Sequence, residues 1–136
     1  MNGIDERQTF SKYERLCRTK LIEEVFESGN VIYTPLFRVV WITSSGLPSP
    51  AQIAVAVPKK IIRLAVTRNV IKRRIREVYR KKKQPFYSFL ESEKIQIVFI
   101  MIYRHRSSAD FLTIEKSVGE LIKKLIDDIK QKQKKC

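Results

Sequence analysis

Ten residues from Lys94 to Tyr103, KIQIVFIMIY, form the most strongly apolar stretch of the chain and constrain its fold more than any other feature. The stretch is far too short to span a bilayer, which takes about 20 residues as a helix. Its length is that of a strand, and it reads as a central one. The chain has 136 residues, room for one hydrophobic core but not two. Every other element therefore has to assemble around this strand.

Two further strands precede it. PLFRVVWIT (Pro35 to Thr43) is rich in β-branched and aromatic residues, which favour extended structure. AQIAVAV (Ala51 to Val57) reads the same way, and Pro58 marks its end. Between them lies SSGLPSP (Ser44 to Pro50), punctuated by Gly46, Pro48 and Pro50, so the two strands are expected to pair as an antiparallel hairpin. Thr19 can cap a short helix whose apolar face is Leu21, Ile22, Val25 and Phe26, and Gly29 suits a left-handed position at its end. A long helix is expected over Ala65 to Lys83, stopped by Pro85. A last helix starts near Asp110 or Thr113, with Phe111, Ile114, Val118, Leu121, Ile122, Leu125 and Ile129 on one face. This order, helix, two strands, helix, strand, helix, describes an α+β sandwich. Residues 1–14 are expected to be loose, 15–130 to form the domain, and 131–136 to fray as a basic tail.

The charge is as informative as the apolar pattern. Lys and Arg number 28 against 14 acids, a formal net charge of +14. Such an excess repels itself in a compact state, and a polyanion is its natural neutraliser. The charge is concentrated: 12 of the basic residues lie between Lys59 and Lys83, with Glu77 as the only acid. On the predicted helix, Ile71, Ile75, Val78 and Tyr79 share the core side. Arg68, Lys72, Arg76 and Arg80 repeat every four residues beside it, flanked by Asn69 and Arg73. Like charges at that spacing weaken an isolated helix by a few tenths of a kcal/mol per pair. A row of phosphates would compensate, gripped by the planar forks of Arg and the point charges of Lys.

The segment AVTRNVIKRRIREVYR (Ala65 to Arg80), the preceding VPKK (Val57 to Lys60) and RLCRTKLIEEVFESG (Arg15 to Gly29) together resemble the bacterial ribonuclease P protein family over roughly residues 10–130. The resemblance implies a two-layer α/β sandwich with a small, mostly antiparallel sheet. The implied order is αβββαβα with a left-handed βαβ crossover, like the second domain of a ribosomal protein. It therefore asks for one more strand, which would fall around Asn30 to Thr34. It implies contacts to the catalytic RNA at Lys59, Lys60, Arg68, Asn69, Lys72, Arg73 and Arg76, and Arg63 and Arg80 of the same segment join them as candidates. It also implies a cleft for the single-stranded 5′ leader of precursor tRNA, at Ile22, Phe26, Phe37 and Val39. Departures from the family pattern are Ile22 and Val40 where relatives often carry aromatics, Val70 in place of Arg, and the glycine-free IIRL (Ile61 to Leu64).

Protein-based catalysis is not expected. Hydrolytic sites need paired carboxylates on a metal or a histidine acid–base, and the chain has one histidine, His105, in a basic strand exit. Glu23 and Glu24 are adjacent, as are Asp127 and Asp128, so neither pair shares a helix face. Cys17 and Cys136 have no metal or disulfide spacing. Phe86 and Tyr87 read as packing residues. The expectation is a protein subunit with no catalytic residue, metal or cofactor of its own. It would serve an RNA that uses Mg2+, and its partners would be that RNA and precursor tRNA, with no membrane and no obligatory protein partner. MNGIDERQTF at the start has no apolar run and no secretory character, so a cytoplasmic location is expected. A general structural RNA-binding protein of ribosomal type is the alternative.

Overall fold

The computed structural model describes residues 12–134. Its elements, in chain order, are α1 (Thr19–Ser28), β1 (Asn30–Tyr33), β2 (Phe37–Ser44), β3 (Ala51–Ala56), α2 (Ala65–Glu93), β4 (Gln96–Tyr103) and α3 (Phe111–Lys134), with a short 3-10 turn at Lys12–Glu14. The strand around Asn30 that the resemblance required is therefore present. Of the segment expected to be loose, residues 1–11 lie outside the described residues, while Lys12–Glu14 is structured and buries Glu14. The helix α3 carries residues 131–134 of the expected basic tail, and residues 135–136 lie outside the described residues.

The sheet order is β1-β2-β4-β3. β4 is the inner strand that its composition required, with Ile97, Val98, Phe99, Ile100, Met101 and Tyr103 all buried. It pairs antiparallel with β2 and parallel with β3. The expected β2–β3 hairpin is thus not formed. A strand buried on both faces cannot leave its N–H and C=O groups unmet along either edge, so β4 takes the position between the two. The Ser44–Pro50 connection crosses the start of β4, where Gln96 holds it. The Gln96 amide accepts from Leu47 N–H at 3.0 Å and donates to the carbonyls of Leu47 (2.7 Å) and Ser49 (2.9 Å). Gly46, at φ 71°, supplies the left-handed residue this bend requires.

Strand alternation sends one set of side chains to α2 and α3 and the other to α1. Phe37, Val39, Trp41, Ile53, Phe99 and Met101 pack beneath Ile71, Ile75, Tyr79, Phe86, Ile114, Val118, Leu121 and Leu125 of the two long helices. Val40, Ile42, Val98 and Ile100 pack with Val25 and Leu16 on the opposite face. Helix α1 starts at Thr19 without a side-chain cap, its N-cap being Arg18, so Thr19 is not the cap. Gly29 is extended (φ −72°, ψ 152°) rather than left-handed. Its lack of a side chain serves close approach instead: a Cβ there would lie 2.2 Å from the Val25 carbonyl oxygen and 2.4 Å from Val40 Cγ1. Asp110 caps α3, its Oδ1 accepting from Thr113 N–H at 2.8 Å.

Helix α2 does not stop at Pro85 but runs on to Glu93. An interior proline removes one backbone hydrogen bond and crowds the preceding turn, at about 3 kcal/mol. The turns beyond it bury Phe86, Tyr87 and Leu90, and fully burying such side chains contributes about 1.5–3 kcal/mol each. Burial outweighs the breaker. The helix ends instead at Lys94, which adopts φ 58° and donates its N–H to the Glu91 carbonyl at 3.2 Å. Pro85→Ala should therefore stabilise the protein by about 2 kcal/mol, the restored hydrogen bond being partly offset by greater freedom of the unfolded chain. Urea unfolding would measure it, and a destabilised variant would show that the proline shapes a bend the core needs.

Candidate nucleic-acid interface

The basic segment begins where β3 ends. Pro58 turns the chain, its carbonyl accepting from the N–H groups of Ile61 (3.0 Å) and Ile62 (3.1 Å). Ile62 anchors this turn in the core, while Lys59, Lys60 and Arg63 are exposed. The glycine-free loop is thus a tight turn with an apolar pin. On α2, Ile71, Ile75, Val78 and Tyr79 are buried as their spacing required. Asn69, Arg73 and Arg76 are exposed on the outer side, and Lys72 is half-buried beside them.

Four of the basic side chains have structural work, among them Arg74, which donates to the Ala109 carbonyl at 2.8 Å and the Ser108 hydroxyl at 3.3 Å. The Arg68 guanidinium donates to the carbonyls of Ile62 (3.0 Å) and Arg63 (2.9 Å), tying the basic turn to the first turn of α2. Arg80 pairs with Glu77, whose carboxyl is held below its usual range by that hydrogen bond. Lys83 is buried and bonds Glu14 at 2.6 Å. Of the candidate RNA contacts, Arg68 and Arg80 are engaged with protein groups, whereas the side chains of Lys59, Lys60, Arg63, Asn69, Lys72, Arg73 and Arg76 form no such hydrogen bond or ion pair among the described residues.

The expected cleft residues divide between the two sheet faces. Ile22 and Phe26 lie on α1, Ile22 half-buried and Phe26 50% exposed. Phe37 and Val39 are fully buried beneath α2 and α3, on the face away from α1, and cannot line a cleft beside it. The error is one of parity: a shift of one residue moves a strand side chain to the other face. Val40 belongs to the α1 side, but α1 covers it.

The strand register shows what remains open on that side. Across all four strands, Tyr33 pairs with Arg38, Arg38 with Ile102, and Ile102 with Ala56. The next row, Val31, Val40, Ile100 and Ala54, is closed over Val40 and Ile100. In the first row Tyr33 is 54% exposed, and Arg38, Ile102 and Ala56 are half-open. This row and the basic turn three residues beyond Ala56 therefore lie together at one end of the sheet, on the face that α1 covers, and Phe26 is an exposed aromatic of that helix. The row and the turn combine an aromatic and apolar floor with a cationic rim. Tyr33, Arg38, Ile102 and Ala56 were missed from sequence. Alternation counted from the family's aromatic position at Val40 would have selected Arg38.

Nothing in this surface resembles a hydrolytic centre. Among the described residues, no three His, Cys, Asp or Glu side chains converge on a metal-sized site. His105 is exposed, with Nε2 2.9 Å from Ser107 Oγ. Phe86 and Tyr87 are core residues, and Cys17 is exposed and free. Among the described residues, no helix is long and apolar enough to cross a membrane.

Comparison with known proteins identifies the family and the fold. The sequence profile of the ribonuclease P family matches residues 10–126. The ribonuclease P protein component of Petrotoga mobilis is 32% identical, over 88% of this chain and 98% of the relative. That of Porphyromonas gingivalis is 29% identical over 88% of each. Among solved structures, the RNase P protein of Thermotoga maritima superposes with a TM-score of 0.64 at 23% identity, covering 82% of this chain and 96% of that one. The Staphylococcus aureus RNase P protein gives 0.62 at 22% identity, with 81% and 93% covered.

Proposed function

The chain belongs to the ribonuclease P protein family, the protein component of a ribonucleoprotein endonuclease that associates with ribonuclease P RNA, and from that premise we propose how its surface serves the reaction. The basic turn and the outer stripe of α2 bind the catalytic RNA. The open row, with Phe26 of α1, receives the 5′ leader of precursor tRNA. The RNA supplies catalysis and uses Mg2+ for it, while the protein lowers the repulsion between RNA segments and holds the leader. We place the assembly in the cytoplasm, with no further protein required.

The observation that carries this reading is the continuity of the two surfaces. Lys59 and Lys60 follow Ala56 by only three and four residues, so a strand lying on the open row meets cations as it leaves. Exposed aromatics stack on bases without choosing a sequence, at about 1–3 kcal/mol per base, and the half-exposed rings of Phe26 and Tyr33 support this reading. Arg38 in the same row offers a fork to the leader's phosphates.

The test is cleavage of precursor tRNA by a bacterial ribonuclease P RNA at limiting magnesium, with and without the protein. Addition of the protein should restore accurate 5′ cleavage. The gain should shrink when the leader is cut to one nucleotide. A protein that binds RNA tightly yet leaves cleavage unchanged would instead be a general RNA-binding module.

A further inference from the structure

We propose that Glu14, through its buried ion pair with Lys83, is a positioning residue for leader binding: it fixes the register of residues 13–16 along the edge of β3, and that register fixes where α1 lies over the sheet. This role rests on the leader-binding reading above and adds a residue buried in the opposite layer of the fold.

Helix α1 has little hold on the sheet of its own. Of its ten residues only Val25 is buried, and no side chain caps its first turn. Isolated helices shorter than about 12–15 residues are marginal in water, so the ends of α1 determine its place. The far end is fixed at Gly29, whose N–H donates to the Val25 carbonyl at 2.8 Å and which lies close against Val40. The near end is fixed by Leu16, three residues before Thr19, which is buried with Val25, Val40, Val98 and Ile100.

Residues 13–16 run along the outer edge of β3. The Tyr13 carbonyl accepts from Ser49 Oγ at 3.1 Å and from Gln52 Nε2 at 3.0 Å. Arg15 bridges Ile53 in parallel, and the Leu16 N–H donates to the Ile53 carbonyl at 2.9 Å. Side chains alternate along such a stretch. Leu16 enters the core under α1, whereas Glu14 enters the one under α2, where it meets Lys83 Nζ at 2.6 Å and the Tyr87 hydroxyl at 2.5 Å. The Lys83 ammonium also lies 5.2 Å over the Tyr87 ring. A slip of one residue along β3 would exchange the two faces and carry the start of α1 by about 3.3 Å. An apolar pair of the same shape would contribute as much stability or more. What the charges add is discrimination, since any other register leaves a buried ammonium without its carboxylate, which is strongly disfavoured. The open row of Arg38 and Ile102 adjoins the row of Val40 and Ile100 that α1 covers. A displacement of α1 therefore changes how much of the open row the helix leaves accessible.

The test uses the full-length protein assembled with ribonuclease P RNA. Affinity of the holoenzyme is measured for precursor tRNA with a long and with a one-nucleotide leader, alongside affinity of the protein for the RNA and urea unfolding. Glu14→Ala/Lys83→Met removes both charges and should unfold near the wild-type midpoint. Its preference for the long leader should nevertheless fall roughly tenfold, the contribution of about one stacked base. Affinity for the RNA, carried by the basic turn and α2, should stay within about twofold, as expected of a separate site. Backbone amides of α1 should exchange faster with solvent, while those of α2 should not. Glu14→Gln keeps the shape and the acceptor for Tyr87; it should show the same effects in smaller measure, and it decides the matter if the double variant does not fold. If leader preference holds in these variants while Phe26→Ala/Tyr33→Ala lowers it, the pair is structural only. Glu14 is likewise not a positioning residue if leader preference falls only together with RNA affinity and the unfolding midpoint. If the aromatic variant is silent as well, the leader-binding reading falls and the role of Glu14 with it.

Discussion

Glu14→Ala should lower the unfolding free energy by about 3–5 kcal/mol, the usual effect of removing one partner from a buried ion pair. That is a large part of the 5–15 kcal/mol typical of a domain. The Glu14 carboxylate accepts from Lys83 Nζ at 2.6 Å and from the Tyr87 hydroxyl at 2.5 Å, and Tyr79 donates to the Tyr87 oxygen at 3.1 Å. Lys83 is 2% exposed and Glu14 5%. Without the carboxylate, an ammonium stays in the core with its principal counter-ion gone, and a phenol loses its acceptor. Glu14→Ala/Lys83→Met should recover most of the loss, because replacing both charges with apolar groups removes the desolvation penalty as well as the attraction. Urea unfolding of both variants decides the matter. A single variant within 1 kcal/mol of wild type would show that the pair is not coupled to folding. Burial pushes the phenols of Tyr79 and Tyr87 above the ordinary value of 10.0. Their contribution is thus complete below about pH 10 and erodes above it, as the unfolded chain alone can ionise.

That network also marks where sequence reading reaches its limit. Glu14 sits in a polar stretch whose partners are 69 and 73 residues away, and no periodicity connects such positions. Local pattern sufficed where one face decides the outcome. The central strand, the buried stripe of α2 and the apolar face of α3 were legible because each is a repeat of apolar residues at a fixed period. It failed where a tertiary term overrode a local one: Pro85 in a helix whose later turns fill the core, and β3 kept from β2 because β4 needed partners on both edges. The resemblance supplied β1, which four residues of mixed character could not announce. Within the site, the cations were legible as a class but not by role. Charge does not say that Arg68 and Arg74 face carbonyls, and a strand's composition does not say which parity meets α1, which is why Phe37 and Val39 were placed on the wrong face.

The same division of roles separates binding from stability in the stripe. Replacing Arg68, Lys72 and Arg76 together by Ala should weaken binding of ribonuclease P RNA by a hundredfold or more, at about 1.5 kcal/mol for each charged hydrogen bond. The contributions should differ in kind. On the proposed reading Lys72 and Arg76 each contact a phosphate directly, so Lys72→Ala and Arg76→Ala should each lower the salt slope by roughly 0.7–0.9 and add to the other. Arg68 holds the carbonyls of Ile62 and Arg63, so Arg68→Ala releases the turn that presents Lys59, Lys60 and Arg63. Its effect should therefore overlap with that of Lys59→Ala/Lys60→Ala rather than add to it, a coupling that a double-mutant cycle reads directly. Stability should move the other way for Lys72 and Arg76, since relieving like charges four residues apart strengthens the helix by a few tenths of a kcal/mol. A variant that loses affinity while its unfolding midpoint holds or rises would show that the stripe is retained for RNA at some expense to the fold. Parallel losses of affinity and stability would instead make these residues part of the scaffold.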